Sequence, residues 1–288
     1  MRRMKTAGQL QVMAEEIRIA TLRTLEHFGA GHIGGAMSII ETLAVLYGGV
    51  MRYDAENPGW DRRDRLVMSK GHAGPALYAT LSMCGFFPGE MLAELNMPGG
   101  RLPSHCDMNK TPGVDMTTGS LGQGMSTAIG LALGCRMNGW DSNTYLILGD
   151  GECNEGQVWE GVMFARHHKL DNLVAFVDRN MQQLDGFVRD VLDTGDMAAK
   201  FAAFDWHVRE VDGHDTRAVE AAVKNALAEK GVPSAVILRT VKGYGCNFAE
   251  GVESNHNMSF TKEQIDDAVA GVRLRLAAAE AAAGEGRM

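Results

Sequence analysis

The chain has 288 residues, 45% hydrophobic and 22% charged, with a formal net charge of −8. That is a soluble globular composition with ample core; the acidic balance argues against a nucleic-acid partner, and no apolar run approaches the roughly 18 residues that cross a bilayer. The five cysteines, Cys84, Cys106, Cys135, Cys153 and Cys246, are odd in number, scattered and never spaced Cys-x-x-Cys, so they read as reduced thiols of a cytoplasmic protein and not as a disulfide frame or zinc site.

The N-terminus, Met1-Arg-Arg-Met-Lys5, is basic, but no apolar stretch follows it, so no signal peptide is expected. Apolar residues at Leu10, Met13, Ile17, Ala20 and Leu25 give residues 9–29 helical spacing. The glycine-rich turn Gly29-Ala-Gly-His-Ile-Gly-Gly35 breaks that pattern, and Ser38 is expected to cap or begin an apolar helix through Tyr47. A short strand follows at 65–68, then Ser69-Lys-Gly-His-Ala-Gly-Pro75 and a helix over about 75–84. Residues 96–116 carry Pro98, Pro103, Pro112 and several glycines and read as loop. Thr117-Thr-Gly-Ser-Leu-Gly-Gln-Gly124 opens a helix to about Arg136. A strand at 144–148, a helix at about 155–168 and a strand at 173–178 come next, then a turn at Gln183-Leu-Asp-Gly186. Strands at 207–211 and 235–241 flank a helix at 216–230. The alanine-rich tail, from about 275 to 288, is expected to fray or be disordered. With no repeat and no linker, the whole chain reads as one domain. Alternating strands and helices imply a parallel central sheet with helices on both faces, and its sites lie at the carboxyl ends of the strands.

Asp150 and Asn180 fall at two such ends, side by side if their strands are neighbours. Asp150 sits in Gly149-Asp-Gly-Glu152, where the flanking glycines let backbone amides approach a phosphate. A carboxylate and a side-chain carbonyl are hard oxygen ligands, suited to a magnesium ion that holds a diphosphate. Four histidines stand beside glycine or in loop-like segments: His32, His72, His105 and His256. Imidazole there can donate to phosphate or shuttle protons near neutral pH. His27, His167, His168, His207 and His214 have no such context and read as ordinary helix or strand residues, and Cys153 as a small filler.

The run from Gly149 to Asn180 resembles the thiamine-diphosphate motif of transketolases. The four histidine contexts, the 117–124 loop and the late segment Thr240-Val-Lys-Gly-Tyr-Gly245 resemble the same family in the right order, over about residues 10–265. The resemblance implies a thiamine-diphosphate-binding fold of the diphosphate-binding type. It implies that Asp150, Asn180 and the backbone carbonyl of Gln182 ligate magnesium, and that the Gly151 amide, His72, His256 and Asn180 hold the diphosphate. Gly119 would offer backbone to the aminopyrimidine and Leu121 would pack against it. His32, His105 and His256 form the implied catalytic set, moving protons on the hydroxyls of a sugar. The first of Glu155 and Glu160 matches the family's glutamate network across a dimer interface, whereas Glu160 reads as a solvated helix face. Lys242 reads as a surface lysine.

A full transketolase is more than twice this length, and its second domain supplies the glutamate that activates the aminopyrimidine. The resemblance therefore implies the N-terminal subunit of a split enzyme that transfers a two-carbon ketol unit from a ketose to an aldose, either of them phosphorylated. A second polypeptide with a pyrimidine-binding domain would complete a heterotetramer (α2β2). Two departures touch the substrate side: Ile33 where proline is common, and Asn255-His256-Asn257 where an aromatic precedes and glycine follows. They leave room for a specialised ketol or acyl transfer in secondary metabolism. A non-catalytic cofactor-binding module is a further alternative, disfavoured by the retention of Asp150 and Asn180. A magnesium-dependent phosphohydrolase would use Asp150 as a lone carboxylate with only Glu152 nearby, and leaves the histidine loops unexplained.

Overall fold

A computed structural model describes residues 4–285. Met1 to Arg3 and residues 286–288, the ends of the basic N-terminus and of the expected tail, lie outside the described residues. Five parallel strands form the central sheet in the order β2 (Arg65–Met68), β3 (Thr144–Gly149), β4 (Leu173–Arg179), β6 (Ser234–Arg239), β5 (His207–Asp212). The middle strands are apolar on both faces because both are covered. Tyr145, Ile147, Val174 and Phe176 join one core with α1 (Ala7–Glu26), α3 (Ile40–Val45), α4 (Gly74–Met83), α9 (Thr216–Ala228) and α10 (Lys262–Glu285). Leu146, Leu148, Ala175 and Val177 join the other with α5 (Gln123–Met137), α6 (Gly156–His167) and α8 (Met197–Ala203).

The expected strands and long helices form, with ends shifted by one to three residues. The segment after His32 differs. No single helix runs from Ser38 to Tyr47; α2 (Ile33–Met37) starts directly after His32, and the chain breaks at Ser38–Ile39 before α3. Ser38 is buried there and donates to the Asp178 carboxylate at 2.7 Å, which fixes the break. The tail also departs from expectation: α10 continues helically to Glu285. It begins with a capping box, in which Gln264 N–H donates to Thr261 Oγ1 and Thr261 N–H to Gln264 Oε1. Its stripe Ile265, Ala268, Val269, Val272 is buried. Helices α7 (Val188–Val191) and α8 were not foreseen; Asp196 caps α8 by accepting from Ala199 N–H.

A two-stranded ribbon completes the fold. β1 (Ala30–Gly31) pairs antiparallel with β7 (Met258–Ser259), which draws the turn after β1 against the loop before β7.

Candidate functional site

Four loops meet above the carboxyl ends of β2, β3, β4 and β6. The β1–β7 ribbon places His32 beside His256, and Gly34 N–H donates to Asn255 O at 3.0 Å. His72 lies in a single 3₁₀ turn, Gly71–Ala73, directly after β2. The loop of His105 is laced to that turn, since Cys106 N–H donates to Gly71 O at 3.3 Å and Thr118 N–H to Cys106 O at 3.0 Å. The four rings converge as a result. His32 lies 5.6 Å from His72, 5.1 Å from His105 and 5.5 Å from His256, centre to centre, and His72 lies 4.7 Å from His256.

Glycines make this convergence possible. A Cβ on Gly35 would fall 2.9 Å from His72 Nε2, and one on Gly71 within 2.8 Å of the Gly119 backbone. Gly119 itself has φ +143° and lies against the His105 ring. Leu121, at the end of this loop, is 38% exposed.

β3 and β4 are hydrogen-bonded neighbours, so Asp150 and Asn180 do stand side by side. Asp150 is buried, and its two oxygens accept from the Gly151 amide at 2.8 Å and the Met181 amide at 2.7 Å. No basic side chain is among those partners. Burial, and then the nearby Asp178 carboxylate, push its pKa up to about 7. Asn180 Nδ2 donates to Asp178 Oδ2 at 2.8 Å, and Asn180 Oδ1 accepts from the Gln182 amide at 3.1 Å. The amide nitrogen is thus committed to the carboxylate, while the carbonyl oxygen, which also accepts from the Gln182 amide, keeps a second lone pair for a ligand. Gln182 is buried in the same turn, and its side-chain oxygen has no partner. A buried carboxylate lacking a cation, beside a fixed amide carbonyl, fits a hard divalent ion with few protein ligands. Among the described residues no group of three or more His, Cys, Asp or Glu side chains is placed to hold a metal ion.

Two lysines belong to the site that the sequence reading missed or misjudged. Lys70 is buried and paired with Asp178 at 2.5 Å, and it also donates to Gly35 O at 2.7 Å. Asp178 further accepts from Ser38 and Thr240, and Lys70 holds its carboxyl below the usual range despite burial. Lys242, expected on the surface, is buried: its Nζ lies 3.2 Å from His256 Nδ1 and 3.1 Å from Gln183 O. Burial, and then Lys70, bring its pKa down to about 8. The same burial, with neighbouring cations and rings, lowers His32 to about 4 and His256 to about 3 and holds His72 well below its ordinary value, while burial by itself lowers His105. The cluster is therefore a set of neutral imidazoles beside buried ammonium groups, which suits an anionic ligand and proton exchange with hydroxyls.

His214, expected as an ordinary helix or strand residue, instead lies in a turn and braces the site. Its Nε2 accepts from the Val241 amide at 2.8 Å, so Nδ1 carries the hydrogen and faces Glu41 at 3.4 Å, and the ring stacks on Tyr244 at 3.6 Å. It thereby braces the turn that bears Lys242. A polar residue after Asp-Gly, in Asp212-Gly-His214, was the only sequence signal. Glu155 and Glu160 are both exposed, and Cys153 is buried with its thiol pKa pushed up, as a filler should be.

Residues 9–273 match the transketolase, thiamine diphosphate binding domain family. The 6-deoxy-6-sulfo-D-fructose transketolase subunit SqwG of Clostridium sp. (strain MSTE9) is 50% identical over 91% of this chain and 95% of its own length. An apulose-4-phosphate transketolase subunit of Phocaeicola vulgatus is 36% identical over 93% of this chain and 95% of its own. Among solved structures, transketolase from Campylobacter jejuni superposes with a TM-score of 0.87 and 28% identity over 93% of this chain, which spans 43% of that one.

Proposed function

The chain belongs to the transketolase family through its thiamine diphosphate binding domain, and from that premise we propose that it is the N-terminal subunit of a split ketol-transferring enzyme. The observation that carries this reading is the convergence of four histidines, Lys70 and Lys242 on the Asp150–Asn180 strand ends. In this reading Asp150, Asn180 and the Gln182 backbone carbonyl hold Mg2+. His72, His256 and the Gly151 amide hold the diphosphate, Asn180 lies against it, and Lys242 adds positive charge behind His256. Gly119 and Leu121 line the approach to the aminopyrimidine.

Thiamine diphosphate, when bound, supplies the electron sink through which a two-carbon ketol unit moves from a ketose to an aldose. The chain's own part is to bind, orient and exchange protons. His32 and His105 are neutral at physiological pH and face the substrate side, where each accepts a proton from, or returns one to, a sugar hydroxyl. His256 joins them from the diphosphate side. The outer rim of the site is open in this chain: Leu121 and Glu155, on either side of Gly122, are exposed. A second polypeptide with a pyrimidine-binding domain covers that rim and brings the activating glutamate, in an assembly of two of each chain. The free thiols fit a reducing cytoplasm, and among the described residues no helix is long and apolar enough to cross a membrane.

The substrate class follows from the relatives. SqwG is named for a ketose bearing a sulfonate at C6, and the Phocaeicola protein for a phosphorylated ketose. The donor proposed here is an anionic ketose, with the C6 sulfonate first because that relative is half identical. The test is to purify the tagged chain from its own cell, identify what accompanies it, and assay bound thiamine diphosphate, Mg2+ and ketol transfer. A stoichiometric partner with cofactor, active on 6-deoxy-6-sulfo-fructose while the isolated chain is inactive, supports the reading. A chain that emerges alone and binds no thiamine diphosphate with added Mg2+ overturns it.

A further inference from the structure

Glu152 belongs to none of the ligand sets above. It is buried, two residues beyond Asp150, and its side chain points away from that role. Oε1 accepts from the Ser69 hydroxyl and from the Gly122 amide at 2.8 Å; Oε2 accepts from the Gly149 amide at 3.0 Å. These three donors come from three separate turns. Ser69 ends β2 and leads into His72. Gly122, with φ +84°, closes the Gly119–Leu121 loop and caps α5. Gly149 ends β3 beside Asp150. Thr118 Oγ1, donating to Met68 O at 2.7 Å, also links the first two of these turns, but it does not reach the third. Around it the turns pack closely through glycine: a Cβ on Gly124 would fall 2.2 Å from Ser69 Oγ, and one on Gly122 would fall 2.7 Å from Glu155 Cβ.

We propose that Glu152 is a positioning residue, a single carboxylate that clamps the three turns of the cofactor cradle into register before the cofactor binds. The inference rests on the thiamine diphosphate reading for its purpose, but not for its geometry. A carboxylate suits the task because both its oxygens accept and neither donates, so three donors from three directions are satisfied at once. Glutamine keeps the shape but must turn an NH2 toward Gly149 N–H, or toward Ser69 and Gly122. The clamp then loses at least one arm, and that arm's donor is left buried and unpaired.

The test compares wild type with Glu152→Gln, Ser69→Ala and the double variant. In the full cofactor-free chain, hydrogen exchange in Glu152→Gln should rise together over 69–74, 118–124 and 149–154, with β4 and β6 unchanged. In the assembly with Mg2+ and the second polypeptide, the Kd for thiamine diphosphate should rise about tenfold in Glu152→Gln and about threefold in Ser69→Ala, as expected for lost hydrogen bonds to a charged group. The double variant should be weaker than Glu152→Gln by less than the threefold that Ser69→Ala costs alone, because both changes act on one clamp. Exchange that rises only over 149–154, a Kd within twofold of wild type in either single variant, or additive losses in the double variant would each overturn the proposal. Should Glu152→Gln fail to fold, Ser69→Ala, which leaves the carboxylate on both amides, decides by the same readouts. Wild type that binds no thiamine diphosphate defeats the functional reading, while the exchange pattern still decides the clamp.

Discussion

Replacing Asp150 by asparagine should stabilise the cofactor-free chain at alkaline pH while abolishing its response to Mg2+. Asp150 ionises near pH 7 in the folded chain, against an ordinary value of 3.8 for the unfolded one. A carboxyl whose folded pKa is raised makes the folded state the tighter proton binder between these values. Stability is therefore lost as pH rises from about 4 to 7 and stays lost above 7. At about 1.4 kcal/mol per pH unit, the full penalty at pH 8 is on the order of 4 kcal/mol, of which about 3 kcal/mol accrues between pH 5 and pH 8. Asparagine escapes this penalty but has one acceptor where the carboxylate has two. Either the Gly151 or the Met181 amide loses its partner, at about 1–3 kcal/mol. The net gain at pH 8 is thus about 1–3 kcal/mol, and near pH 5 the variant is neutral or slightly less stable. At pH 5 the wild-type carboxyl is itself protonated and keeps one carbonyl acceptor, so the amide cost shrinks there, and the difference between the two pH values reports the ionised carboxylate. The assay is urea denaturation of both proteins in EDTA at pH 5 and pH 8, repeated with Mg2+ and thiamine diphosphate. Equal stability differences at the two pH values would refute the electrostatic account of Asp150. Stabilisation of the variant by Mg2+ and cofactor to the wild-type extent would refute its role as ligand.

Lys70→Met strands the buried Asp178 carboxylate, which keeps donors from Ser38, Thr240 and Asn180. The expected cost is about 3 kcal/mol, the lower end for a broken buried pair, and a Tm lower by roughly 6–12 °C by calorimetry; an unchanged Tm would count against the pairing. Gly35→Ala puts a Cβ 2.9 Å from His72 Nε2 in a helix that otherwise favours alanine. It should leave Tm unchanged or slightly raised while weakening thiamine diphosphate binding about tenfold, which titration and a melt on the same sample will separate. The ring protons of His32 and His256 should show no NMR titration midpoint between pH 5.5 and 8. Their folded pKa values of about 4 and about 3 lie below 6.5, so these groups cost stability as pH falls through 6.5 toward 4, and a midpoint near 6.5 would show the burial of the cluster to be wrong.

The backbone of this site was legible because it rests on local signals. Apolar runs of five or six residues marked β3 and β4, and glycine beside a carboxylate marked the turn of Asp150. The four histidines could be picked out because each stands beside glycine or in a loop-like segment. The partners of those residues were not legible. Lys70, Ser38, Thr240 and Asp178 meet from four elements that are up to 202 residues apart in the chain, and nothing in the local pattern of a lysine says that it will be buried. Lys242 was misread for the same reason: it follows an apolar strand, but only the fold reveals that the turn bends inward onto His256. The C-terminal helix was different. Thr261-Lys-Glu-Gln264 is a capping box, and Ile265, Ala268, Val269 and Val272 repeat at helical spacing, so the signal was present. The alanine- and glycine-rich stretch further along carries no such apolar stripe, and there the helical pattern fades from the sequence.

The charges explain why such a site is worth keeping only with its ligand. Three buried carboxylates, two buried ammonium groups and four neutral rings are held within one ring of turns; Asp178 and Lys70 already satisfy one another, and Glu152 is satisfied by Ser69, Gly122 and Gly149. What remains is Asp150 and Lys242, neither of which forms a direct ion pair among the described residues, and each is displaced from its ordinary pKa chiefly by burial. A divalent ion carrying a diphosphate would supply both direct partners at once, as proposed: the metal to Asp150 and the phosphate oxygens to Lys242 and the histidines. Either component alone leaves the other charge uncompensated, so binding of Mg2+ and of diphosphate should be strongly cooperative. Titrating inorganic diphosphate with and without Mg2+ measures that coupling directly, and equal affinities would show that the two charges do not face a common ligand.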